Sequence, residues 1–117
     1  MKPFARADRV SGQIQKILSD ILKKKIKDPR LKMTTITGVK MSNDLRLAKI
    51  YFTTSGSITS RERAIEGFKS AAGYVKRTLA AQLGLRYMPE LKFFYDKSFD
   101  YGLKIEKMLK LIKTGNG

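Results

Sequence analysis

The chain contains no cysteine and no histidine. Disulfides, thiolate or imidazole metal sites, Ser-His and Cys-His catalysis and a histidine general base are thereby all excluded. Acidic groups are few, with 10 Asp and Glu against 25 Lys and Arg in 117 residues. The carboxylates, from Asp8 to Glu106, are scattered and read as caps, turns or exposed partners of lysine, with no pair marked out for metal or acid-base work. There is no G-x-x-x-x-G-K-[ST] phosphate loop and no G-x-G-x-x-G. No apolar run approaches the roughly 20 residues of a membrane span, and Met1 to Arg9 is basic without the apolar centre of a secretion signal. These absences remove most small-enzyme mechanisms. The expectation is a cytoplasmic, non-catalytic protein with no metal, no cofactor and no membrane partner.

What is present is positive charge. The net +15 falls on both halves, with 13 basic against 4 acidic residues up to Ile58 and 12 against 6 after it. Such an excess is self-repelling in a small domain, and its usual counterpart is a polyanion, most often nucleic acid. At 42% hydrophobic the chain has apolar material for one modest core. We therefore read 1–117 as a single domain, with 1–5 and 114–117 as flexible ends.

The segment from Thr59 to Gly84 organises the rest. Ile65, Phe68, Ala72, Val75, Leu79 and Leu83 recur every three or four residues, as on a helix covering a sheet. Thr59 with Glu62 reads as a capping box. Gly67 and Gly73 are unusual inside a helix, where each is worth about 1 kcal/mol less than alanine. The small residues Ser70, Ala71 and Ala72 before Gly73 leave room for another backbone, so a break is expected there; the alternative is a packed helix that tolerates the glycine.

Ahead of this segment, Arg6 to Lys27 reads as a helix with Val10, Ile14, Ile17, Leu18, Ile21 and Leu22 on one face. Arg9, Lys16, Lys23 and Lys27 form a basic ridge on the other, near only Asp20 and Gln13. Lys25 falls on the apolar side, where its stem can snorkel. Pro29 should stop this helix at Asp28. Thr34 to Met41 reads as a strand with a bulge at Gly38, Ser42 to Asp44 as a turn, and Leu45 to Thr53 as a second strand presenting Ala48, Ile50 and Phe52 on one face. The two should form an antiparallel hairpin. Glu90 to Asp96 alternates as a third strand, and Tyr101, Ile105, Met108, Leu109 and Ile112 outline a last amphipathic helix with Lys104, Lys107, Lys110 and Lys113. The order gives an α+β fold, a small mixed sheet with helices on one face. Aromatics interleave with basic residues at Tyr51, Tyr74, Tyr87, Phe94 and Tyr101, as stacking on unpaired bases would require, although most such residues in a small domain belong to the core or its rim.

Several ordered motifs carry a resemblance: Asp28-Pro29-Arg30-Leu31, Ser42-Asn43-Asp44-Leu45 with Ala48-Lys49-Ile50-Tyr51, Ser70-Ala71-Ala72-Gly73, Arg86-Tyr87-Met88-Pro89-Glu90-Leu91, and Asp96-Lys97-Ser98 with Gly102 and Ile105. Together, from about Arg9 to Leu109, the chain resembles the bacterial ribosome-binding factor A family. The resemblance implies a KH-like domain of the second type: a three-stranded mixed sheet packed against helices, with a helix-kink-helix in place of helix-GxxG-helix. The family's Ala-x-Gly kink falls here on Ala71, Ala72 and Gly73. Phe99 and Tyr101 depart from the family's usual aliphatic or charged residues, and the tail is short. The resemblance also implies a monomeric assembly factor that binds the free small (30S) ribosomal subunit and its 16S rRNA, supports 5′-end maturation of the precursor and matters most in the cold. Arg9, Lys16, Lys23, Lys27 and Arg30, with Lys69, Lys76 and Arg77 around Gly73, are the expected RNA contacts. A membrane-surface protein and a metal-dependent nuclease are the rival readings.

Overall fold

Ala48, Ile50 and Phe52 alternate along one strand and are all fully buried, and the plane they define is the one on which the molecule is layered. The computed structural model describes residues 5–55, 58–98 and 108–109. In chain order the elements are α1 (Ala5–Lys24), a single 3₁₀ turn (Pro29–Leu31), β1 (Thr34–Met41), β2 (Leu47–Thr54), α2 (Ile58–Leu83) and β3 (Glu90–Tyr95). The strands lie in the order β1-β2-β3, with β1 antiparallel and β3 parallel to β2. The parallel pair requires a crossover, and α2 supplies it.

Both helices cover the same face of the sheet. Ala7, Val10, Ile14 and Leu18 of α1 and Ala64, Phe68, Val75 and Leu79 of α2 join Ile36, Met41, Ala48, Ile50 and Phe52 in one core. Phe68 holds its centre: its ring stacks on Phe93 at 4.3 Å and 11°, and tilts against Phe52 at 5.1 Å. The expected bulge is present. The register slips between Ile36 and Gly38, which keeps Ile36, Val39 and Met41 on the core side.

Four expectations are corrected. α1 stops at Lys24, three residues before Lys27, because the Ile21 carbonyl accepts from both Lys25 N (2.9 Å) and Ile26 N (3.0 Å). Continued as a helix, Lys25 would fall on the apolar side, about 20° from Leu18 at about 100° per residue; with the early end Lys25 is exposed and Ile26 packs against the core. β2 begins at Leu47, since Leu45 has φ 61° and belongs to the turn. α2 begins at Ile58, which puts Thr59 inside the first turn and not at its cap. Finally, Gly73 does not interrupt α2, which continues through Ala71, Ala72 and Gly73 to Leu83. A Cβ at Gly73 would meet only Arg77 Nη1, at 3.6 Å. The tight approach is at Gly67, whose added Cβ would lie 2.9 Å from Leu31 Cγ and 3.3 Å from Arg30 Cβ. Gly84, φ 61°, ends the helix in the left-handed conformation that glycine favours. Of the expected last helix only 108–109 is described, helical and exposed; the rest lies outside the described residues.

Candidate nucleic-acid interface

Three cations form a line on α1. Arg9, Lys16 and Lys23 follow one another at seven-residue steps, about 10 Å apart along the axis, on the side opposite Ile14, Leu18 and Ile21. All three are exposed, as is Asp20 between them, and among the described residues none of the three forms an ion pair. Lys27 reaches the end of this line from the segment after the helix. With Lys23 and Lys32 it borders a cavity of about 700 Å³ between the end of α1, the 3₁₀ turn and β1. Leu22, Ile26 and Leu31 form apolar parts of its wall. Lys32 is an exposed cation that sequence reasoning missed, because periodicity gives no direction in a turn.

Arg30 has other duties. Its guanidinium donates to Asp28 through Nε (3.1 Å) and Nη2 (2.7 Å), and Nη2 also reaches Ser70 Oγ on α2 at 3.1 Å. The Asp28 carboxylate caps the turn by accepting from Arg30 N at 2.9 Å. Hydrogen bonds from the Arg30 side chain and then its backbone hold the Asp28 carboxyl below its usual range, and the same carboxylate raises Arg30. Arg30 is thus a brace between the 3₁₀ turn and the middle of α2, where Gly67 permits the close contact.

Lys69, Lys76 and Arg77 are exposed on α2. Tyr74, Thr78 and Gln82 form the flank of α2 that meets Ile17, Asp20 and Ile21 of α1. Lys69 and Lys76 share a face roughly 150° around the helix from Tyr74, and Arg77 points outward beside Gly73. The structure therefore gathers Arg9, Lys16, Lys23 and Lys27 in one strip and Lys69 with Lys76 in another, separated by the crest of α2. Among the interleaved aromatics, Tyr74 lies at the α1–α2 groove, Tyr87 is exposed with the Arg86 guanidinium 5.4 Å from its ring centre, and Tyr51 and Phe94 lie on the far face of the sheet. Tyr101 is outside the described residues. Fixed cations of this kind neutralise phosphates without reading sequence. Among the described residues no three carboxylates gather as a metal site would need, and no helix is long and apolar enough to cross a membrane.

Comparison with known proteins gives a consistent result. The model of the family described as ribosome-binding factor A matches residues 6–109. A protein of that name from Desulfatibacillum aliphaticivorans is 53% identical over 112 residues, 96% of this chain and 91% of its own. A solution NMR structure from Thermotoga maritima, described under the same family name, is 31% identical, covers 80% of this chain and 90% of its own, and superposes with a TM-score of 0.69. The Thermus thermophilus ribosome binding factor A, a homology model fitted into the cryo-EM map of its complex with 30S, shares the fold with a TM-score of 0.61 at 23% identity, over 74% of this chain and 91% of its own.

Proposed function

The chain belongs to the ribosome-binding factor A family, and on that premise we propose that it binds the free small ribosomal subunit in the cytoplasm and assists late maturation of 16S rRNA, including 5′-end processing of the precursor, without breaking a bond itself. The observation that carries this reading is the strip of exposed cations on α1, directly opposite the core, continued by Lys27 and Lys32 at the mouth of an adjoining cavity. Charges held at fixed separations on a rigid helix bind best the RNA arrangement whose phosphates match them, and so shift a folding RNA toward it. The Thermus thermophilus relative in its 30S complex supports the choice of particle. Lys69 and Lys76 form the second contact strip, Arg77 adds a contact on the crest of α2, and Gly73, exposed between them, lets an RNA backbone come near α2. Arg30 contributes by holding the 3₁₀ turn on α2.

Co-sedimentation with free small subunits, large subunits and joined ribosomes across a salt series tests this proposal. Selective migration with small subunits, weakening steeply with salt, is the expected result. Lys16→Glu, Lys23→Glu and Lys27→Glu together should abolish that binding while circular dichroism stays native. Equal binding to every particle, or undiminished binding by the reversed variant, would refute it.

A further inference from the structure

The sheet face turned away from the helices is arranged in rows. Strand register places Lys40 opposite Lys49 and Lys49 opposite Lys92, so three lysines from three strands lie side by side. With strands about 4.8 Å apart, the row is about 10 Å long. Like charges directly across a sheet are destabilising, and all three lysines are exposed with no ion pair among the described residues. The next row on the same face, about 7 Å along the strands, is Gly38, Tyr51 and Phe94. The Tyr51 and Phe94 rings lie 5.8 Å apart, tilted by 31°, and Phe94 is 40% exposed. Among the described residues of this face, carboxylates stand at the margins of β3: Glu90 at one end, and at the other Asp96, which accepts from Thr37 Oγ1 at 2.6 Å and Ser98 N at 3.0 Å.

We propose that this open sheet face is a second RNA-binding surface that takes a single strand, with Lys40, Lys49 and Lys92 on its phosphates and Tyr51 and Phe94 beneath its bases. Adjacent-strand aromatics on an open sheet stack unpaired bases, and a neighbouring cation row tracks the backbone. A duplex keeps its bases stacked inside and leaves the rings unused. An acidic peptide satisfies the lysines alone, and a membrane surface needs a larger apolar patch than two rings. The chain's own segment 99–117 carries Lys104, Lys107, Lys110 and Lys113 against Asp100 and Glu106, the same sign as the row it would have to cover. Met108 and Leu109, its described residues, are 55% and 58% exposed. This surface lies opposite the α1 strip and does not depend on which ribosomal particle that strip contacts.

The chain has no tryptophan, so Phe94→Trp in the full chain installs a single reporter. Its emission should be that of a solvent-exposed indole and should be quenched by a single-stranded oligouridine of about twelve nucleotides but not by a duplex of equal length. Adding Lys40→Gln, Lys49→Gln and Lys92→Gln should raise the midpoint at least about tenfold and flatten the log-log salt dependence by about 2. As a second measure, Phe94→Ala should weaken binding of labelled oligouridine, read by anisotropy, at least about fivefold. An indole already shielded before RNA is added would show the face covered by segment 99–117 and overturn the proposal. So would equal quenching by duplex, a response to phosphatidylglycerol vesicles in place of RNA, or unchanged affinity in natively folded variants. Small-subunit co-sedimentation of the unaltered chain reads the helical-face proposal separately: quenching without co-sedimentation refutes that reading and sustains this one.

Discussion

Two glycines six residues apart in α2 have opposite consequences. Gly73 is exposed, helical and free of close neighbours, so Gly73→Ala should raise stability by about 1 kcal/mol, seen as a higher urea midpoint. The same change should weaken small-subunit binding if RNA backbone approaches there. Gly67 is pressed against Leu31 and Arg30, so Gly67→Ala should lower stability by about 1–3 kcal/mol as the 3₁₀ turn is pushed away. The sequence presents both as a glycine in a helix; what separates them is Leu31, far away in the chain and brought near only by the fold. Asp28 offers a pH test. Its carboxyl is held below the usual range by Arg30, so the stabilisation is present at neutral pH and is lost as pH falls through that lowered value. Urea midpoints should therefore fall more steeply below about pH 4 in the parent than in Asp28→Asn.

At the level of elements, a hydroxyl adds a polar tie between α1 and the sheet to their apolar packing. Ser11 Oγ donates to the Ala7 carbonyl at 2.9 Å and accepts the Met41 amide at 2.9 Å, satisfying an N–H at the end of β1. Ser11→Ala leaves that amide unpaired and should cost about 1–3 kcal/mol, with faster hydrogen exchange at Met41 as the local signature. Nothing in the helical periodicity singles out this serine, because its partner is 30 residues on. The strands were far more legible. Alternation is a local property, and it places Ala48, Ile50 and Phe52 in the core, the bulge next to Gly38, where Thr37 is the residue without a partner in β2, and Glu90 at the start of β3. Element ends were less so. The second strand starts late because Ser42 Oγ accepts from Arg46 N and Leu47 N, and Asp44 Oδ1 also accepts from Arg46 N, closing a turn that carries Leu45 with it. α1 ends early because of the tertiary packing of Ile26, which outweighs the helix-favourable Lys23–Lys25 run.

Over the whole molecule, the net charge of +15 was readable at once, but its division among surfaces was not. The α1 strip follows from helical spacing within one segment; the lysine row across the sheet exists only through the register of three strands, two of them joined by the whole of α2. Charge of one sign on both sides of so small a domain gives salt two opposing effects. Screening of self-repulsion stabilises the fold, while the same ions compete for the counterion release that drives RNA binding. Raising potassium chloride from about 0.05 to about 0.3 M should thus increase the urea midpoint of the free protein as its affinity for RNA falls steeply. The Asp28–Arg30 and Arg30–Glu66 pairs run against the first trend, since screening weakens exposed ion pairs; against a net charge of +15, repulsion should dominate. A midpoint that fell with salt would mean that attractive pairs outweigh repulsion in the free protein. The unpaired cations on its two faces would then not be the stored repulsion that RNA relieves.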